Sequence, residues 1–281
     1  MVKEFGPVVA GKFYPRGKED LIDTIEDCYT HKFGPGKLPE VSDEELSSSV
    51  GMIAPHAGYP YSGPIAAQAF GWGAELGRPK AVVIIGTNHS GLGSAASLAT
   101  EGRWSTPLGE VGFETDLAQA ILESSDQLEE DSASFTREHS IEVQLPFLQH
   151  LWGTELSIVP ICLKAQSGDI AADIGSALEK NLPEGSLIIS STDFTHYEPQ
   201  EIAEEKDERA IESIMDRDVE GFYEAVKKHN ISICGYGSIG ILLNFALKKN
   251  LRPTRLKYAT SGEVAGSGRE VVGYGAFGFR K

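Results

Sequence analysis

Cysteine is scarce in this chain: Cys28, Cys162 and Cys234 are the three in 281 residues. An odd count at wide spacing supports no disulfide framework and points to free thiols in a reducing cytoplasm. Positive charge is also short, with 25 Lys and Arg against 41 Asp and Glu and a formal net charge of −16. That balance argues against nucleic acid or an anionic membrane as partner, because both carry the same sign. No apolar run approaches the roughly 18–20 residues of a membrane span. The opening "MVKEFGPVVAGKFYP" is interrupted too early for a signal peptide. H-E-x-x-H, G-x-S-x-G and G-x-x-x-x-G-K-[ST] are missing as well. The common metalloprotease, serine-hydrolase and P-loop readings therefore have no support.

What is present is an alternation of short apolar runs and amphipathic stretches. "VGMIAP" (50–55), "KAVVIIGTNHSG" (80–91), "LSIVPICL" (156–163) and "SLIISSTDF" (186–194) read as buried strands. Helical spacing occupies 18–33, 63–76, 114–125, 138–152 and 168–182, then two acidic helices between about 199 and 228 and one opening at "SICGYGSIG". "GRWSTPLGEVGF" (102–113) reads as a hairpin, and the chain ends in the strand-like "RLKYATSG" and "EVVGYGAFGFR". The acidic stretches "PEVSDEE", "DQLEED" and "EIAEEKDE" read as solvated faces. Strands alternating with helices predict an α/β fold with a mainly parallel central sheet covered by helices on both faces. No linker or repeat divides the chain, so residues 1–281 are expected to form a single domain.

Residues 235–240 satisfy G-x-G-x-x-G at the start of a helix. A dinucleotide fingerprint should follow the first strand of a βαβ unit; this one comes after nearly all the sheet. "GYGAFG" (273–278) matches too, with no room for a helix behind it, and "GLGSAA" (91–96) matches a looser form. With 31 glycines such matches are cheap, and nucleotide binding is not expected.

The histidines are placed more tellingly. His56 follows strand "GMIAP", His89 lies beyond "AVVIIG", Asp193 and His196 in "SSTDFTHY" close the strand "SLIIS", and His139 in "REHSIEVQLPF" starts a helix after a long loop. Ligands of open α/β sheets bind outside the carboxyl ends of the strands, and ionisable groups gathered there mark functional sites. His31, His150 and His229 lie in polar helical stretches and read as structural or surface residues. Cys234 directly precedes a helix N-terminus, where the macrodipole favours the thiolate. A thiolate beside two imidazoles suits copper, zinc or Fe(II) and leaves a coordination position open. His196 would serve as acid or base with Asp193 orienting it, and Tyr59 and Tyr61 would flank the pocket mouth.

Taken together, "AGKFYP" (10–15), "APHAGYPYSG" (54–63), "IIGTNHSG" (84–91), the "WSTPLGEV" around Trp104, "REHSIEVQLPFL" (137–148), "SSTDFTHY" (190–197) and "ICGYGSIGILL" (233–243) resemble the Memo family. These stretches run in order through almost the whole chain. The family is similar in fold to the class III extradiol dioxygenases, which hold non-haem Fe(II) with two histidines and a glutamate. The resemblance implies His56 and His89 as imidazole ligands, Cys234 in the place of the carboxylate, His196 in that of the catalytic histidine and His139 as a pocket residue. It also implies an Fe(II) or copper cofactor and a redox or metal-handling role, associated in eukaryotic members with motility and receptor signalling. A soft thiolate in place of a hard carboxylate counts against ring cleavage. The alternatives are a metal-independent peptide-binding scaffold using the same cleft, or a true dioxygenase. Either way the expected partner is a small molecule or a peptide.

Overall fold

Four parallel strands, adjacent in space, build the centre of the protein. They are β2 (Val50–Ala54), β3 (Val82–Thr87), β8 (Ser157–Leu163) and β9 (Leu187–Ser191), in the order β8-β3-β9-β2. The computed structural model describes residues 3–266 and 268–281. Apart from Ser157 at the start of β8, every residue of these strands is buried, as parallel strands enclosed by crossover helices must be. Alternate residues separate cleanly between two cores. Met52, Ile84 and Ile189 face one cluster with Ile65, Phe70 and Phe147; Ile53, Val83 and Ile188 face the other with Leu242 and Phe245.

The sheet extends through β6 (Gly109–Phe113), β5 (Arg103–Thr106) and β1 (Glu4–Phe5) on one side, and through β12 (Val271–Arg280) and β10 (His196–Glu198) on the other. Strand β11 (Arg252–Thr260) pairs with β12, β4 (Ala96–Leu98) with β8, and β7 (Glu129–Glu130) with β4. The centre is parallel and the margins mixed. The hairpin β5–β6 forms where the sequence places it, with Trp104 opposite Val111.

Helices α1 (Lys18–Thr30), α2 (Tyr59–Leu76) and α4 (Leu145–Trp152) carry residues of the first core, and α3 (Thr115–Glu123), α5 (Gly168–Asn181), α6 (Gln200–Asp216), α7 (Val219–Lys228) and α8 (Tyr236–Lys249) carry the second. A short helix, α9 (Ser261–Ala265), is closed by a capping box between Thr260 and Glu263. Among the described residues no helix is long and apolar enough to cross a membrane.

Three elements depart from the sequence reading. Helix α2 starts at Tyr59, earlier than its pattern indicated, because Pro60 falls in the first turn where its missing N–H costs nothing. The stretch 138–152 is helical only from Leu145, after a 3-10 turn at Glu142–Gln144; Glu138 and His139 are left in irregular backbone. The acidic stretch 201–208 is not wholly solvated, since Asp207 is fully buried.

Candidate functional site

The carboxyl ends of the parallel strands bring the site together. His56 and His89 each lie two residues beyond their strands, Asp193 two beyond β9, and Gln166 three beyond β8. Helix α8 packs over β2, β3 and β9, which sets Cys234 above the same edge. One ligand atom each from His56, His89 and Cys234 falls within 4.8 Å of the others. Cys234 Sγ is 3.3 Å from His56 Nε2, across 178 residues of sequence.

Both imidazoles are pinned through Nδ1. Ser191 Oγ donates to the Ser140 carbonyl at 2.6 Å and accepts from Gln144 Nε2 at 2.7 Å. Its remaining lone pair meets His56 Nδ1 at 3.0 Å, so Nδ1 carries the proton and Nε2 presents a lone pair toward Cys234. For His89 the partner is the Glu138 carboxylate, 2.9 Å from Nδ1. A carboxylate only accepts, so here too Nδ1 carries a proton. Burial opposes a charge on the ring, but the Glu138 contact outweighs it and raises the His89 pKa, so a cation at Nε2 would take the place of a proton there. Ligating histidines show this arrangement, with the second nitrogen tied down.

Glu138 is fully buried and saturated: it also accepts the amides of His89, His139 and Ser140 at 2.6–2.8 Å. Burial opposes its ionisation, but the His89 contact and those amides bring its pKa down to about 2. His89, Glu138 and His139 also form a group with metal-ligand spacing. Its carboxylate oxygens are already spent on hydrogen bonds, so that group reads as support for His89. His139 stacks on His89 at 4.5 Å and meets Phe13 edge-on at 5.0 Å. Burial lowers its pKa to about 4, keeping it neutral. His56 is held well below its usual range by burial and by the neighbouring His139 and His89.

Asp193 accepts the His56 amide at 2.8 Å, and its own amide donates to Cys234 Sγ at 3.2 Å. Burial raises its pKa to about 6 against the His56 amide and the neighbouring His196 and His89. His196 is anchored differently from the sequence expectation. Its Nδ1–H donates to the Ser232 carbonyl and its amide to Ser232 Oγ, both at 2.8 Å, so Ser232, not Asp193, orients the ring. The free thiol of Cys234 is not activated by the helix end that follows it. Burial, then Asp193, push it up to about 12.

Tyr59 does not border the mouth. It is 1 % exposed, packs on Phe147 at 5.0 Å and donates its hydroxyl to the Val143 carbonyl, because the early start of α2 turns it inward. Tyr61 is 45 % exposed, and the sequence reading overlooked two companions, Tyr197 and Tyr274. Tyr61, Tyr197 and Asp193 all lie within electrostatic reach of the Tyr274 hydroxyl. Tyr197 is 72 % exposed with φ of 58°, at the irregular pairing of β10 with β12. A bulky residue in left-handed backbone is uncommon, and such positions cluster at functional sites.

The glycine fingerprint has a packing explanation. The Gly235 amide donates to Thr192 Oγ1 at 2.8 Å and the Gly237 amide to Gln166 Oε1 at 2.7 Å, so those N–H groups are not left for a phosphate. A Cβ at Gly235, Gly237 or Gly240 would meet Thr192, Gln166 or Tyr223 at 2.8 Å or less. In the second match Gly273, Gly275 and Gly278 sit equally close to Asp207, Phe194 and Trp72.

Residues 6–277 match the family described as Memo-like protein. A MEMO1 family protein of Thermotoga petrophila is 49% identical over 271 residues, covering 95% of this chain and 96% of that protein. One from Methanopyrus kandleri is 43% identical over 282 residues, covering 99% of each. In fold, the chain is similar to an uncharacterized protein of Escherichia coli K12, with a TM-score of 0.53 at 13% identity over 82% of this chain and 98% of that one. The chain belongs to the Memo-like family.

Proposed function

We propose that the cluster is a mononuclear metal centre in which His56 Nε2, His89 Nε2 and Cys234 Sγ hold Fe(II) or copper, and that the protein, one domain in the cytoplasm, serves redox chemistry or metal handling. The observation that carries this reading is the tying of both Nδ1 atoms, to Ser191 and Glu138, while His56 Nε2 lies 3.3 Å from the Cys234 thiol and one ligand atom of each of the three residues falls within 4.8 Å of the others. The donor set fits the ion. His56 stays neutral and available as a ligand, and the thiol, protonated on its own, loses its proton on binding a cation. Such an ion, when bound, supplies electron transfer or Lewis-acid chemistry at an open position.

The surrounding side chains have roles of their own. Asp193, with a pKa of about 6, holds or releases a proton beside the ligands near neutral pH. His196 keeps Nε2 free as an acid or base, because Ser232 occupies Nδ1. His139 offers a neutral imidazole to whatever enters, and Tyr61 and Tyr197 are exposed. Those two tyrosines favour a second reading, a scaffold that docks a peptide in the same cleft without metal. Dioxygenase activity is the weaker alternative, because Cys234 is a thiol where the resemblance to the dioxygenases implies a carboxylate.

Elemental analysis of protein purified without oxygen or chelator tests the reading. Near-stoichiometric iron or copper in the wild type, lost in His56→Ala and Cys234→Ala, is the expected result. Wild type that is metal-free and refuses added Fe(II) and Cu(I) would sink it.

A further inference from the structure

Cys234 stands in an unusual setting for a residue that must be held still. It is followed by Gly235 and, two residues later, Gly237, and glycine leaves the backbone more freedom than any other residue. The N-cap of α8, Gly235, contributes no side-chain cap. Whatever fixes the thiol has to come from elsewhere in the chain.

The Asp193 amide meets Sγ at 3.2 Å and Thr192 Oγ1 accepts the Gly235 amide at 2.8 Å; the backbone on either side is held by a further side chain. Gln166, in the loop after β8, donates Nε2–H to the Cys234 carbonyl at 2.8 Å, and its Oε1 accepts the Gly237 amide at 2.7 Å. A single planar amide therefore spans both ends of the Cys234–Gly237 turn. The approach is close: a Cβ on Gly237 would lie 2.8 Å from Gln166 Cβ. The Cys234 carbonyl also accepts from Thr87 Oγ1 at 3.0 Å, and the Cys234 amide donates to the Asp193 carbonyl at 3.2 Å. Of these partners, Gln166 alone bonds both the cysteine and a residue inside the helix that follows it, Gly237.

We infer that Gln166 is a positioning residue for Cys234: its amide clamps the glycine-flanked turn so that Sγ is presented to His56. The consequence for metal binding rests on the metal reading above, whereas the clamp itself does not. Without the two hydrogen bonds the 234–237 turn gains freedom, and the thiol leaves its place 3.3 Å from His56 Nε2 for part of the time. Supporting groups of this kind change metal affinity by about 10–100-fold when removed.

Gln166→Met, close in size but unable to make either bond, is the test, with Gln149→Met as control. Gln149 is a buried glutamine with two such contacts, to Gly109 and Thr106, neither of which belongs to the site. Two readouts are needed. In metal-free protein, the alkylation rate of Cys234 by iodoacetamide is followed by peptide mass spectrometry, which separates it from the buried Cys28 and Cys162. In protein loaded with Co(II), the near-ultraviolet thiolate-to-cobalt band and the dissociation constant are measured.

Gln166→Met should raise the Cys234 alkylation rate at least about 5-fold, weaken Co(II) binding by about 10-fold or more, and shift or weaken the charge-transfer band. Gln149→Met should lower thermal stability and leave all three unchanged. Wild-type rates and spectra in Gln166→Met overturn the clamp, and equal changes in Gln149→Met reduce it to general loosening. If wild type gives no cobalt–thiolate band, the metal reading falls, and the alkylation rates alone decide the clamp.

Discussion

Glu138 grips His89 twice, accepting the ring Nδ1–H on one carboxylate oxygen at 2.9 Å and the backbone amide on the other at 2.6 Å. The same carboxylate collects the amides of His139 and Ser140, so a buried charge is fully solvated by protein. It fixes the tautomer of a candidate ligand as well as its orientation.

Glu138→Gln tests that grip. An amide cannot accept at both positions, so one contact to His89 is lost or reversed. Metal affinity should fall about 10–100-fold in competition with a chromogenic chelator. The charge also bears on stability. Its pKa is depressed, so its contribution is present above about 4.5 and is lost as pH falls toward about 2. Acid unfolding followed by circular dichroism should show a shallower dependence below pH 4.5 in the variant; identical profiles would contradict the assignment.

Cys234→Asp exchanges a soft donor for a hard one at the same place. The ratio of Cu(I) to Fe(II) affinity should drop by at least about tenfold, because thiolates favour Cu(I) and carboxylates the harder ion. An unchanged ratio would mean that the thiol is not a ligand.

Asp207, the one buried acid of the stretch 201–208, accepts the Thr195 amide at 3.0 Å and the Tyr258 hydroxyl at 2.7 Å. Burial raises its pKa to about 6 from an ordinary 3.8. Its folded-state pKa is therefore above the unfolded one: the stability it contributes is fully present below about 4 and lost as pH rises through about 6. Asn copies the protonated form. Asp207→Asn should match wild type near pH 4 and exceed it by about 2–3 kcal/mol at about pH 7–8, as urea unfolding at both ends of that range would reveal.

Gly237→Val separates packing from nucleotide chemistry. Forcing a branched side chain against Gln166 should cost about 1–3 kcal/mol, read as a fall in the urea midpoint. Titration with NADH should give no binding in the wild type. Saturable NADH binding abolished by the substitution would restore the dinucleotide reading.

Much of this protein was legible in one dimension. Apolar runs such as Val82–Thr87, bounded by glycine and polar residues, marked the parallel strands, because a strand buried on both faces leaves no room for polar alternation. Once those strands were placed, His56, His89 and Asp193 fell at their carboxyl ends, where loops open into solvent. Local sequence misled where backbone chemistry and burial compete with pattern. Pro60 began a helix instead of delaying it, Tyr59 turned inward, and the Cys234 thiol was raised by burial despite the helix behind it.

The family, the α/β class and the histidines and cysteine able to meet all follow from the linear chain, since strand ends and their loops are written in local pattern. What holds those residues in place does not. Glu138 reaches His89 across 49 residues, Gln166 reaches Cys234 across 68, and Ser191 reaches His56 across 135. A supporting hydrogen bond has no sequence period: it depends on two side chains brought together by the sheet, and nothing local in Glu138 or Gln166 says which residue it will find.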